Sequence, residues 1–126
     1  ELNEFSQEYA ETLGETLGYG VVITDLDSII SVSKLPKKDY KEKSISKELE
    51  QLIENRETKE IKDENKIPLY KEDSNSYSEQ MIMPIISVSG DCIGSIVIVA
   101  KENEKLQEGV DKILKVACSF LGKQVQ

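Results

Sequence analysis

Few residues in this chain are equipped for chemistry. Cys92 and Cys118 are its two thiols, and it has no histidine. Without imidazole, the Ser-His-Asp and Cys-His arrangements that activate a nucleophile are absent. Two cysteines are also too few for a structural zinc site. Both lie in apolar surroundings, Asp91-Cys-Ile-Gly94 and Val116-Ala-Cys-Ser-Phe120. That setting suits small core residues in a reducing compartment better than a disulfide framework. Asp25 and Asp27 are one residue apart, a spacing open to a bound cation. A calcium loop needs more oxygen ligands and aspartate is a common turn former, so a turn is the better reading. No catalytic residue, metal or cofactor follows from these groups, and the chain reads as a non-enzyme.

Binding chemistry is better represented. Ser31, Ser33, Tyr40, Ile45, Leu49, Tyr77, Met81 and Met83 combine hydroxyls, phenols and thioethers with aliphatic groups. Placed between a sheet and a middle helix, they would line an adaptable small-molecule cavity. The plainer alternative is that they fill a second core layer. Another set has helical spacing: Phe5, Tyr9, Leu13, Ile113, Ala117, Phe120 and Leu121. These predict packing between the terminal helices of two subunits, with packing inside one chain as the alternative.

Those residues need elements to hold them. Residues 2–17 read as an amphipathic helix carrying Leu2, Phe5, Tyr9, Leu13 and Leu17 on one stripe, ended by Gly18 and Gly20. Val21–Thr24 and Ile29–Val32 read as a hairpin turning at Asp25-Leu-Asp-Ser28. Lys34–Lys43 reads as a polar loop, and Ser44 or Ser46 then caps a helix to about Arg56. Glu60–Lys62 and Ile67–Tyr70 read as short edge strands, the second held at an edge by Pro68.

The clearest pattern comes late. Two β-branched runs, Tyr77–Val88 and Cys92–Ala100, meet at Ser89-Gly90-Asp91 as a long hairpin, with a bulge or bend expected at Gly94. Ile93, Ser95, Val97 and Val99 should face one way, and Ile96, Ile98 and Ala100 the other. A strand apolar on both sides is central and covered on both faces. Residues 103–125 read as a terminal helix with an apolar face too wide for one sheet contact. The expected fold class is therefore α+β: an antiparallel sheet with the terminal helices on one face and the middle helix plus loops on the other.

Composition narrows the partners. A length of 126 residues suits one domain spanning 1–126. Net charge is -8, from 24 acidic and 16 basic residues, which repels phosphate backbones. No run approaches the ~18 apolar residues of a membrane span, and no signal peptide is visible, so a cytoplasmic protein is expected. Glu1 stands where an initiator methionine would, which predicts a fragment or a processed product.

The element order resembles a GAF domain. More closely, it resembles the family of GAF-like C-terminal domains typified by stage V sporulation protein T. The resemblance covers essentially the whole chain. It rests on Leu17-Gly18 with Val21-Val-Ile-Thr-Asp25, on Lys37-Lys-Asp-Tyr40 followed by Lys43-Ser-Ile-Ser46, on Asn75-Ser-Tyr77, and on Pro84-Ile85 with Gly90-Asp91 and Ile93-Gly94. It implies the sensor and assembly half of a transcription regulator acting in the developing forespore. An N-terminal AbrB-like domain, absent here, would bind the DNA. It also implies a homodimer through the terminal helices and a tetramer for the full-length regulator. No effector is implied: the Asn-Lys…Phe signature of cyclic-nucleotide GAF domains breaks at Asn65-Lys-Ile-Pro68, and bilin attachment lacks its residues. Two alternatives remain, a purely structural oligomerisation module and a GAF-type methionine sulfoxide reductase using its cysteines.

Overall fold

The computed structural model describes residues 2–125; Glu1 and Gln126 lie outside the described residues. Among the described residues nine elements follow one another: α1 (Leu2–Leu17), β1 (Gly20–Thr24), β2 (Ile29–Ser33), α2 (Lys37–Tyr40), α3 (Lys47–Glu54), β3 (Lys59–Ile61), β4 (Glu79–Ile86), β5 (Cys92–Ala100) and α4 (Val110–Gln124). The strands form one antiparallel sheet in the order β2-β1-β5-β4-β3. β5 lies at its centre, and Gly94 through Ala100 are all buried. Alternation along β5 sends Ile96 and Ile98 toward α1 and α4, and Val97 and Val99 toward α3. The α+β architecture expected from the sequence is the one observed.

The late hairpin turns on Gly90, whose φ of 93° is left-handed backbone that a side chain resists. The bulge is also present. Ile85 pairs with Gly94 and Ile86 with Cys92, which leaves Ile93 as the extra residue. A side chain at Gly94 would run into the Thr24 carbonyl, so the bulge lets β5 lie close against the end of β1. The bulge also reverses one expected direction. Ile93 packs with the terminal-helix core rather than with Val97 and Val99.

Other differences have equally local causes. α1 buries Leu2, Ser6, Ala10, Leu13 and Gly14, so its inward face is turned away from the expected Phe5–Tyr9–Leu17 stripe. Gly14 lies so close to the Ser33 side chain that a Cβ would clash there. The expected polar loop contains the single turn α2, which buries Tyr40. Ile67–Tyr70 forms no strand, only an isolated bridge from Tyr70 to Ile45. α4 begins at Val110 rather than 103, behind Gly109 at φ 96°. The linker before it is tied to the sheet. Tyr19 Oη donates to the Lys105 carbonyl at 2.7 Å and accepts from Gln107 N–H at 2.9 Å, and the Glu79 carboxylate accepts from Leu106 N–H at 2.8 Å. Ser46 does cap α3, accepting from Leu49 N–H at 3.1 Å.

α1 and α4 run antiparallel. α1 passes Ser31 at Ser6, where the two hydroxyls are hydrogen-bonded, and reaches Ser33 at Gly14, so it runs away from the β1–β2 turn. α4 passes Met83 at Cys118 and Ile86 at Gly122, so it runs toward the β4–β5 turn at the same end of the sheet.

Candidate functional site

The structure divides the eight residues read as a ligand set between the two faces of the sheet. Tyr40, Ile45, Leu49 and Tyr77 belong to the α3 side. Met81 and Met83 pack beneath α4, and Ser31 and Ser33 face Ser6 and Gly14 of α1. They do not line one space. The reason is strand parity: in β4, Ile82 faces α3, so Met81 and Met83 must face the other way.

The α3-side members are joined by a polar clasp. The Asp73 carboxylate accepts from Leu69 N–H at 2.8 Å, from Tyr77 Oη at 2.7 Å, and from Asn75 N–H and Nδ2 at 2.9 and 2.8 Å. Tyr77 has one phenolic proton and gives it to Asp73. Tyr40 Oη, 2.7 Å from Tyr77 Oη, must therefore be the donor in that pair. Asn75 Nδ2 also donates to Tyr70 Oη at 3.1 Å, and the Tyr70 ring meets Tyr40 edge-on at 5.3 Å. Burial pushes the Tyr40 phenol up to about 12, partly offset by its hydrogen bond with Tyr77. Burial also raises Tyr77, helped by its hydrogen bonds with Tyr40 and Asp73. Both phenols are thus neutral, and the clasp closes the 66–78 loop over the sheet. Asp73 lies outside the set of site residues expected from the sequence. Its signal was the Asp73-Ser-Asn75 turn pattern ahead of Tyr77.

Beside the clasp, a cleft of about 440 Å³ opens between α3, β3 and the 63–67 loop. Leu52, Ile61 and Ile67 supply its apolar surface; Glu48, Glu57, Glu60 and Asp63 are among its polar walls.

The helix set is likewise divided, but informatively. Leu13, Ala117 and Leu121 are buried inside the chain. Phe5, Ile113 and Phe120 remain 41%, 42% and 47% exposed, and Val116, absent from the expected set, is 71% exposed. The Tyr9 and Phe120 rings stack at 5.5 Å and bridge the two helices. Phe5, Tyr9, Ile113, Val116 and Phe120 therefore form an apolar seam on the outer side of the helix pair. Val116 lies three residues after Ile113 and four before Phe120, the spacing of one helix face.

The thiols are separated by the sheet. Cys92 packs with the α3-side core and Cys118 with the α4-side core. Burial pushes the Cys118 thiol up to about 12 and raises Cys92, so neither is an activated thiolate. Asp25 makes the first turn: its Oδ1 accepts from the N–H groups of Asp27 and Ser28, both at 2.8 Å.

Known proteins share both the sequence and the shape. The family model described as "Stage V sporulation protein T C-terminal, transcription factor" matches residues 1–126. Stage V sporulation protein T of Bacillus subtilis (strain 168) is 38% identical over 129 residues, covering 100% of this chain and 70% of the relative. Among solved structures, the GAF domain of an Acinetobacter phosphoenolpyruvate-protein phosphotransferase superposes with TM-score 0.78 at 14% identity, covering 96% of this chain and 80% of that one. The type II free methionine-R-sulfoxide reductase of Thermoplasma acidophilum gives 0.74 at 15%, covering 97% and 93%. The cofactor-binding GAF domain of the nutrient sensor CodY from Clostridium difficile gives 0.66 at 17%, covering 95% and 83%. At such identities the structures establish a GAF fold and nothing about ligand or reaction. The whole-chain family match and the Bacillus relative go further: the chain belongs to the stage V sporulation protein T C-terminal family of transcription factors.

Proposed function

We propose that this domain is the regulatory and assembly part of a sporulation transcription regulator, working in the cytoplasm of the developing spore as a homodimer joined through α1 and α4. The observation that carries this is the exposed seam of Phe5, Tyr9, Ile113, Val116 and Phe120 on an acidic chain. A contiguous apolar strip on a charged surface marks a contact with another protein surface. DNA would be bound by an AbrB-like domain joined ahead of α1. Dimerisation would fix the spacing of two such domains, and a shift in helix packing would change it, with a tetramer in the full-length regulator. The separated, protonated thiols argue against sulfoxide reduction.

The test is the mass in solution. Light scattering should give a dimer for the chain and a monomer for Phe120→Asp. A monomeric wild-type chain, or an unaltered mass for the variant, would sink the reading.

A second reading, a domain that also takes a small effector, is favoured by the cleft beside α3, where Leu52, Ile61 and Ile67 give a ligand apolar contact. A metabolite panel in thermal melting should then contain a stabilising compound whose effect Leu52→Glu abolishes. A panel without any stabiliser favours a purely structural assembly module.

A further inference from the structure

We infer that the two helices are charge-coded, so that α1 of one copy packs on α4 of the other with the two-fold axis running along the helices. The inference rests on the dimer proposed above and concerns which helix meets which. α1 carries Glu4, Glu8, Glu11 and Glu15 and no basic residue; α4 carries Lys112, Lys115 and Lys123 against Asp111. Helical spacing places Glu4, Glu8 and Glu15 along the outer border of the seam on α1, beyond Phe5 and Tyr9. The same spacing places Lys112 and Lys123 along its outer border on α4, beyond Ile113, Val116 and Phe120. These five charged residues are all exposed. Among the described residues the ion pairs are Lys37–Glu11 and Lys62–Glu60, so none of the five is paired with another described residue.

The seam thus runs from an acidic border on α1, across apolar side chains, to a basic border on α4. A dimer between identical patches is isologous, and only two orientations keep the helices aligned. A two-fold axis across the helices sets acid on acid and base on base. An axis along the helices sets each acidic border on the partner's basic one, which like-charge repulsion selects. The levels also agree. Counting outward from the Tyr9–Phe120 stack along antiparallel helices, Lys123 falls between Glu4 and Glu8, and Lys112 falls near Glu15. An axis along the helices leaves both α1 N-termini at one end of the dimer, so two domains joined there would point the same way.

The charge code is tested by sedimentation equilibrium on three chains. Lys112→Glu/Lys123→Glu should raise the dimer Kd by ~10-fold or more, because both borders become acidic. Adding Glu4→Lys, Glu8→Lys and Glu15→Lys to the same chain exchanges the borders and should restore the wild-type Kd. Circular dichroism checks that each variant is folded. The wild-type dimer should also weaken as salt rises. A dimer indifferent to the lysine reversal, an exchanged chain that stays weak, or a salt-independent wild-type Kd would each overturn the charge code and leave the dimer standing. A monomeric wild-type chain would overturn both.

Discussion

The two faces of the sheet are closed in different ways. On one, α3 buries Leu49 and Ile53 and turns glutamates outward, while the loop beside it is locked by Asp73 and two neutral tyrosines. On the other, α1 and α4 fill the core and still leave Phe5, Ile113, Val116 and Phe120 at the surface. Apart from the cleft beside α3, the first face is closed within the chain; the second has an apolar exterior that water does not satisfy. Equal burial beneath two helices therefore does not imply equal roles. What distinguishes them is the side turned away from the core.

The largest effects should come from the cores and should separate the faces by assembly rather than by stability. Leu49→Ala and Leu114→Ala each remove a fully buried side chain and should cost about 2–5 kcal/mol in urea unfolding. Of the two, only Leu114→Ala should also weaken the dimer, because it lies under the helix that carries the seam. Next comes the clasp. Tyr77→Phe removes the hydroxyl between Tyr40 and Asp73 and should cost about 1–3 kcal/mol with no change in mass. A smaller mass would mean that the α3 face also serves assembly.

The clasp has a pH signature as well. Tyr40 is raised from 10.0 to about 12, so its neutral form is favoured in the folded state. The stability this represents is fully present below pH 10 and is lost as pH rises from 10 through about 12. Thermal melting across that range should show a decline that Tyr40→Phe makes shallower; an unaltered decline would place its cause elsewhere. The smallest effect belongs to the seam. Val116→Ser should change unfolding free energy by only about 0.5 kcal/mol once the chain is monomeric, yet raise the dimer Kd.

Much of this architecture was legible in the sequence because period-2 and period-3.6 patterns are strong where one face is apolar. β1, β2 and the late hairpin declared themselves this way, while residue type alone marked the turn at Gly90, left a bulge or a bend open at Gly94, and left Ser44 and Ser46 as rival caps until the structure chose Ser46. Facing was harder to read. β4 is apolar on both sides, so nothing in Met81-Ile-Met83 says which residue meets which helix, and both methionines of the expected ligand set fell on the α4 side. α1 misled for a related reason. Its closest approach to β2 uses Ser6 and Gly14, which admit a neighbouring strand by being small rather than apolar. Ahead of α4, Leu106 continues the helical spacing, but Gly109 separates it from the helix and the residue is anchored through Glu79 instead. The clasp joins residues 37 positions apart at Tyr40 and Tyr77, a contact that no local pattern encodes.

The antiparallel course of α1 and α4 has one more consequence. The first turn of α1 and the last turn of α4 lie at the same end of the sheet, beside the two hairpin turns. A short peptide could splice them, and new ends could be opened elsewhere, for instance in the exposed 62–65 stretch, without crossing a strand. A circularly permuted chain of that kind would keep its seam and its core while moving the attachment point of any fused domain away from the two-fold axis proposed above. It would separate what the domain holds together from where it holds it.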